Sequence, residues 1–595
     1  MTPVPPPFLG VERSVTGRRW VTREGDDRLA LALCQRTGVP DVVGRVLAAR
    51  GIDPEGAETF LNPTLRALLP DPAHLLDMEP AAARLAAAVR AGEDVVVFGD
   101  YDVDGATSSA LMKRFIEAAG GRARIYIPDR MTEGYGPGAP ALLRLREEGA
   151  GLVVTVDCGA TAFDPLDAAA EAGLDVIVVD HHKGESRLPR AVAVVNPNRL
   201  DESSPHGHLA AVGVAFLLVV MTNRVLRESG WFKAAQPVPD PLQWLDLVAL
   251  GTVCDVVPLV GVNRALVAQG LKVAARRGNA GLRALADVAK LQDRPDAWHL
   301  GYMLGPRVNA GGRVGEADMG ARLLSCDDDA LSRTLAQALD AYNGERQLIE
   351  ADVLMRAMEQ VEGGPDDGTP LVFASGDGWH PGVIGIVAGR LKERYNRPVC
   401  VVAVEGEQAK GSGRSVPGID LGSAVIAARQ AGLLEKGGGH AMAAGFTVRT
   451  DRLDALRAFL GARLAAQVDE GGLEPVLHLD GAMDAGAATY DLVGTLSRIG
   501  PFGAGNPEPR FAVVNARVVR PTVVGTGHVR CILLGPGGAR LKAIAFRSAD
   551  SELGEALLNG EGAVFHVAGT LRPDTWQGRA EAQLVVDDAA FAVTR

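Results

Sequence analysis

Three short segments concentrate side chains able to grip a hard metal ion. Asp100, Asp102 and Asp104 alternate along Val-Val-Phe-Gly-Asp-Tyr-Asp-Val-Asp-Gly, which ends at Gly105. Asp157 follows the apolar run 152–156, and Asp180-His181-His182 follows the run 176–179. Asp255 follows a longer apolar run, 245–253. Carboxylates two apart on an extended loop can project to one side and hold the same ion. Oxygen donors at this density favour Mg²⁺ or Mn²⁺ over softer metals. Asp102, Asp104, Asp157, His181 and Asp255 together exceed what one such ion takes from protein. They suit two ions about 3.5–4 Å apart, bridged by Asp157 or Asp104. A pair of ions of that kind acidifies water and neutralises charge on a departing oxygen, so the expected chemistry is phosphodiester hydrolysis. Asp157 and His182 are the candidate catalytic side chains, His182 being better placed for phosphate than for metal. Asp180 and Asp100 read as groups that orient the ligands or cap backbone.

Such residues need elements that deliver them to one place. Short apolar runs at residues 94–98, 124–127, 152–156, 176–179 and 192–195 alternate with helical stretches such as 106–119 and 165–172. This alternation predicts a parallel sheet covered on both faces. In open parallel sheets ligands bind beyond the carboxyl ends of the strands, where the acids stand. The fold class is therefore α/β multidomain. The expected divisions are an N-terminal extension at 1–75, a catalytic domain at 76–326 and a connecting helix at 327–361. A second α/β domain is expected at 362–470 and a nucleic-acid-binding β-barrel at 471–595, where short strands alternate with Gly and Pro turns.

The bulk numbers agree with a multidomain enzyme. At 595 residues, 47% hydrophobic and 23% charged, the chain exceeds one core and has ordinary globular composition. No apolar run reaches the roughly 18–20 residues of a spanning helix, and no signal-peptide pattern opens the sequence, so a cytoplasmic location is expected. Six scattered cysteines lack any C-x-x-C pair, which argues against a disulfide scaffold or zinc ribbon. The net charge of −12 argues against indiscriminate nucleic-acid binding. Locally, however, 510–547 carries Arg510, Arg517, Arg520, Arg530, Arg540, Lys542 and Arg547 with no acid. The aromatics available for stacking there are Phe502, Phe511, Phe546 and Trp576. The segment Lys410-Gly-Ser-Gly-Arg414 reads as a glycine-rich loop whose backbone N–H groups face an anion, and His440 sits in another such loop.

In this order, Asp-x-Asp-Gly, the strand-terminal Asp157, Asp-His-His and Asp255 resemble the four motifs of the DHH phosphoesterase superfamily. The wording of Asp-Arg-Met-Thr-Glu-Gly-Tyr-Gly (129–136), Arg-Val-Asn-Ala-Gly-Gly-Arg (307–313) and Gly-Gly-Gly-His-Ala-Met-Ala-Ala-Gly (437–445) is similar to the RecJ exonucleases, from about residue 50 onward. That resemblance implies a DHHA1-type second domain and an OB-fold barrel. It also implies 5′-to-3′ hydrolysis of single-stranded DNA to mononucleotides with Mg²⁺ or Mn²⁺, in recombination and repair. It assigns the five metal ligands named above and makes Arg130, His182, Arg313, Ser412, Arg414 and His440 phosphate-binding residues. A single-strand-binding protein, a RecQ-type helicase and a monomeric state are implied with it. Gly311 and Ala211 depart mildly from the pattern without removing a charge. The competing readings are a DHH phosphodiesterase acting on short oligonucleotides or cyclic dinucleotides, and a catalytically silent DNA-binding scaffold.

Overall fold

A five-stranded parallel sheet brings the acidic segments to one edge. In this computed structural model, which describes residues 6–129, 132–233, 237–364, 368–468, 473–574 and 580–592, the strand order is Arg122–Tyr126, Asp94–Gly99, Leu152–Val156, Asp175–Val179, Ala193–Val195. Both faces are covered, as continuous apolar strands require. Val95 and Val97 pack with helices Met78–Ala91, Val103–Ala118 and Ala211–Glu228, whereas Val96 and Phe98 face Ala139–Glu147 and Phe163–Glu171. Register then aligns the chemistry. Gly99 lies opposite Val156, and Val156 opposite Val179, so Asp100, Asp157 and Asp180 leave the sheet level with one another.

Helix Asp329–Gly363, 35 residues long and capped by Asp328, spans roughly 50 Å and leads to the second lobe. There the sheet runs Lys436–His440, Ala443–Arg449, Gln408–Arg414, Val399–Glu405, Val372–Asp377. The expected anion-binding loops are therefore strands. The backbone of Gln408–Arg414 is engaged by a neighbour on each side, and Lys436–His440 pairs with Ala443–Arg449. Its glycines answer a packing demand: a Cβ at Gly411 would fall into the Phe446 ring, and one at Gly413 would lie 2.5 Å from Leu421.

The C-terminal strands close into a barrel. The order is Gly481–Met483, Arg510–Val524, His528–Leu534, Arg540–Ala545, Glu581–Phe591, Val564–Asp574, and the last pairs back onto Arg510–Val524. The N-terminal segment is not a separate extension. Leu33, Val43, Leu47 and Leu61 share one core with Phe511, Val529 and Phe565 of the barrel. Strand Arg19–Thr22 pairs in parallel with Val476–Leu479, and Trp20 Nε1 donates to the buried carboxylate of Asp588 at 2.9 Å.

Arg264, 1% exposed, ties this assembly to the catalytic lobe. Its guanidinium donates to the carbonyls of Phe60, Arg498 and Gly500 and stacks on the Phe60 ring at 3.9 Å. Burial without a carboxylate, and the nearby Arg50, push its pKa down to about 9. Trp20→Phe keeps the ring but leaves Asp588 short of a donor. The expected loss of stability is about 1–3 kcal/mol, read by chemical denaturation of the full chain.

Candidate metal centre

The loop 99–105 can close only because glycine ends it. A Cβ on Gly105 would lie 2.4 Å from the Asp100 carbonyl oxygen. Asp102 caps helix Val103–Ala118, its Oδ1 accepting from the N–H groups of Asp104 and Gly105 at 2.9 and 3.1 Å. Asp104 is held from the other side by the N-terminus of helix Ala211–Glu228, whose Ala211 and Val212 N–H groups donate to its two oxygens. Gly251 lets helix Leu245–Cys254 approach closely, since a Cβ there would meet Thr107 and, at 3.1 Å, Asp104. Asp255 caps that helix at its C-terminus. A carboxylate at a helix C-terminus is disfavoured by the dipole, and a bound cation would offset that.

Asp157 has φ +62° and Val256 φ +61°. Both are non-glycine residues in the left-handed region, and for a β-branched residue this is a true outlier. Strain of this kind persists where surrounding structure over-determines it, typically at functional sites.

The histidines are set in opposite ways. His181 Nδ1 donates to the Leu209 carbonyl at 3.1 Å, so its Nε2 carries a lone pair. That nitrogen faces Asp157 Oδ1 at 3.3 Å, Asp255 Oδ2 at 3.6 Å and Asp104 Oδ2 at 4.0 Å. His182 Nδ1 instead bonds Asp180 Oδ1 at 2.7 Å, leaving Nε2 for another partner, and the ring is half exposed. Asp180 is fully occupied: Oδ1 also accepts from the His181 and His182 N–H groups, and Oδ2 accepts from Ala160. Asn196 and Asn198 pin the His182 and His181 carbonyls through their amides.

These residues fit divalent metal. Asp157 Oδ1 and Asp255 Oδ2 are buried and accept no hydrogen bond. Ligands about 2.1 Å from an octahedral ion stand roughly 3.0 Å apart when adjacent and 4.2 Å when opposite, which brackets the His181 separations. Three groups each place ligand atoms within 4.8 Å of one another: Asp157, His181 and His182; Asp104, His181 and Asp255; Asp100, Asp102 and Asp157. Asp157 belongs to two groups and is better placed to bridge than Asp104. Asp100, read from the sequence as an outer support, lies among the candidate ligands. Its position two before Asp102 on a strand end was the available signal. Tyr135 also went unassigned, although its hydroxyl donates to the Asp157 carbonyl at 3.1 Å.

The phosphate candidates occupy a second wall. Gly312 packs on Tyr101, and Arg313 Nη1 donates to the Gly382 carbonyl at 2.8 Å. Nearby, Ser412 and Arg414 lie against Gly385, and Arg414 Nη1 reaches Ser412 Oγ at 3.3 Å. Burial pushes the Arg414 guanidinium pKa down, as expected of a cation awaiting an anion. His440 is exposed at the end of an edge strand, and Arg130 lies outside the described residues. In the barrel Phe511 is core, Phe546 is 54% exposed, Phe502 is partly buried and Trp576 lies outside the described residues. Arg517, Arg520, Arg530, Arg540 and Arg547 form no ion pair among the described residues, whereas Arg510 pairs with Asp587 and Lys542 with Asp574 and Glu581. Among the same residues no helix is long and apolar enough to cross a membrane.

Mutual crowding shifts the acids. Burial, then the Asp102 charge, raises Asp104 to about 7. Burial, then Asp104 and Asp102, raises Asp255 to about 9, and burial with the surrounding aspartates also raises Asp157. Asp180 goes the other way, to about 2: burial alone would raise it, but the bond and charge of His182, with the Ala160 and His182 N–H donors, together outweigh it. A carboxyl whose folded pKa is raised adds stability below its unfolded pKa, and that stability is lost as pH rises through the folded value. The Tm of metal-free protein is therefore expected to fall between pH 6 and pH 9. Thermal melts should show Mn²⁺ removing that slope and Asp255→Asn reducing it; a flat profile without metal contradicts the assignment.

Residues 94–252 match the DHH family, N-terminal domain, residues 368–466 the DHHA1 domain and residues 479–588 the RecJ OB domain. The chain is 39% identical to the single-stranded-DNA-specific exonuclease RecJ of Dickeya dadantii (strain 3937), over 85% of this chain and 89% of that protein. Its structure is similar to RecJ from Thermus thermophilus in complex with Mn²⁺, with TM-score 0.79 and 30% identity over 96% of this chain and 79% of that one. The Mg²⁺ complex of the same protein gives TM-score 0.74 at 29% identity, over 96% of this chain and 78% of that one.

Proposed function

The chain belongs to the RecJ family of DHH phosphoesterases, and we propose on that premise that it is a metal-dependent exonuclease specific for single-stranded DNA. The observation that carries the reading is the His181 lone pair facing the carboxylates of Asp104, Asp157 and Asp255, an electron-rich cluster suited to a divalent cation. Asp102, Asp104, Asp157, His181 and Asp255 would hold two Mg²⁺ or Mn²⁺ ions, with Asp100 adjoining them. When bound, the ions acidify a water and neutralise charge on the leaving oxygen. The chain's own residues do the rest. Asp180 fixes the His182 ring, whose Nε2 is left for a phosphate oxygen. Arg313, Ser412, Arg414, His440 and Arg130 would hold phosphates beside the scissile bond, through side chains rather than through the backbone of the glycine-rich strands.

In this reading residues 76–326 form the catalytic domain, 327–361 the connecting helix, 362–470 the DHHA1-like domain and 471–595 the DNA-binding barrel, to which 1–75 adds its core. The remaining proposals are attack from the 5′ end with release of mononucleotides, a cytoplasmic monomer, and delivery of substrate by a single-strand-binding protein and a RecQ-type helicase. The barrel's unpaired arginines support a long strand over a dinucleotide as substrate.

The test is hydrolysis of 5′-labelled single-stranded DNA with and without metal. Chelation should abolish product and Mn²⁺ should restore it, while a blunt duplex resists and a 5′ overhang is cut; equal rates on duplex and single strand would sink the specificity. Asp157→Ala is expected to lose more than the roughly 10- to 100-fold that an outer-shell change costs, with DNA binding retained. Arg414→Ala should raise KM more than it lowers kcat, and an unmoved KM would remove it from the phosphate site.

A further inference from the structure

A groove of about 840 Å³ lies between the catalytic lobe and the barrel, and its lining includes Cys254, next to Asp255. Val256, which follows Asp255, lines it and is 70% exposed. Farther along the same wall stand Trp298 and Tyr302, 47% and 72% exposed. Their rings stack on one another, with centroids 5.8 Å apart and planes at 24°, and both remain open to solvent. The short helix carrying them, His299–Leu304, rests on the segment that delivers Asp255: a Cβ on Gly301 would lie 3.3 Å from Val253, and one on Gly305 would fall on Cys254. Helix Gly305–Val314 continues directly from it to Arg313. At 1.5 Å per residue, Tyr302 and that phosphate candidate are roughly 16 Å apart along consecutive helices.

The charges in the groove favour a polyanion. Among the described residues Lys272 Nζ bonds Gln269 and no acid, and Arg294 forms no ion pair. The acids present are engaged: Asp296 with His299, and Glu508 with Arg572. Two solvent-facing aromatics beside cations with no ion pair among the described residues, in a groove lined by the chain neighbours of Asp255, match what unpaired bases and their phosphates require. A core role is excluded by the exposure of both rings.

We propose that Trp298 and Tyr302 form a base-stacking platform that seats nucleotides of the single strand a few residues inside the cut end, between the metal centre and the barrel. The proposal rests on the nuclease reading above, and the wild-type cleavage assay tests that reading separately. For the platform itself, full-length Asp157→Ala protein is bound to oligothymidylates carrying one 5-iododeoxyuridine, moved stepwise from the 5′ end, and irradiated. Cross-links to Trp298 or Tyr302 are expected at interior positions and not at the first nucleotide; cross-links confined to other residues overturn the platform.

A second measurement uses otherwise wild-type protein. The preference for a twenty-mer over a dinucleotide, as a ratio of kcat/KM values, should fall about 5- to 150-fold for each aromatic replaced by Ala. Trp298→Phe and Tyr302→Phe should restore it, because the ring is what stacks. An equal loss on both substrates would mean that the pair merely supports Asp255, and an unmoved ratio would give the groove to another occupant. Either result refutes the proposal.

Discussion

Four aspartates and an imidazole nitrogen are held with their lone pairs pointing at one another, and the surrounding fold exists to keep them there. Two carboxylates within 4.8 Å repel by about 3–4 kcal/mol at the effective dielectric of a protein interior. The metal-free site escapes part of this by retaining protons, as the raised Asp104 and Asp255 show. Nothing flexible could hold such a cluster. The acids stand on the ends of a fully buried sheet, on a helix N-terminus and on a helix C-cap, each locked by packing. The positive φ angles of Asp157 and Val256 are the residue of that constraint in the backbone.

The same logic separates the two walls of the site. The metal wall is built from negative charge that needs cations, and the second lobe supplies in Arg414 a half-buried cation with no ion pair among the described residues. Arg313 joins the walls, since its neighbour Gly312 packs on Tyr101 and its guanidinium bonds the Gly382 carbonyl. Arg264 sets the third body, fixing the barrel's loop at residues 498–500 against the segment that follows Asp255. Leu259 reinforces that contact by donating to the Ala504 carbonyl.

Legibility in the sequence followed from how local each cause was. Asp157 and the Asp-His-His triplet were readable because an apolar run ends at each, and the parallel register then places them together. Asp255 was the weakest of the candidates, because an acid after a helix looks like an ordinary cap, and the resemblance strengthened it. The strands around Ser412 and His440 passed for loops because glycine is the usual mark of a turn. Here it is demanded by Phe446 and Leu421, which lie across the sheet or on a following helix and leave no local trace. Arg264 carried no signal either, since a lone arginine near a helix start is normally solvated. Asp100 was visible as a supporting group, and the fold places it within reach of Asp102 and Asp157; alternation alone cannot say which of three acids reaches an ion.

One contact has a consequence for how the chain is made. Residues near the start share their hydrophobic core with the final strands, and Val15 donates to the carbonyl of Ala589. During synthesis the first helices emerge with their apolar faces uncovered and gain their partner only when the last strands leave the ribosome. At 5–20 residues per second that interval is roughly 25–100 s. The catalytic lobe, built from neighbouring strands and helices, meets no such delay. Nascent chains thus carry a finished metal site well before the element that gathers substrate is closed, with an exposed apolar N-terminus in the meantime as the part most in need of a chaperone.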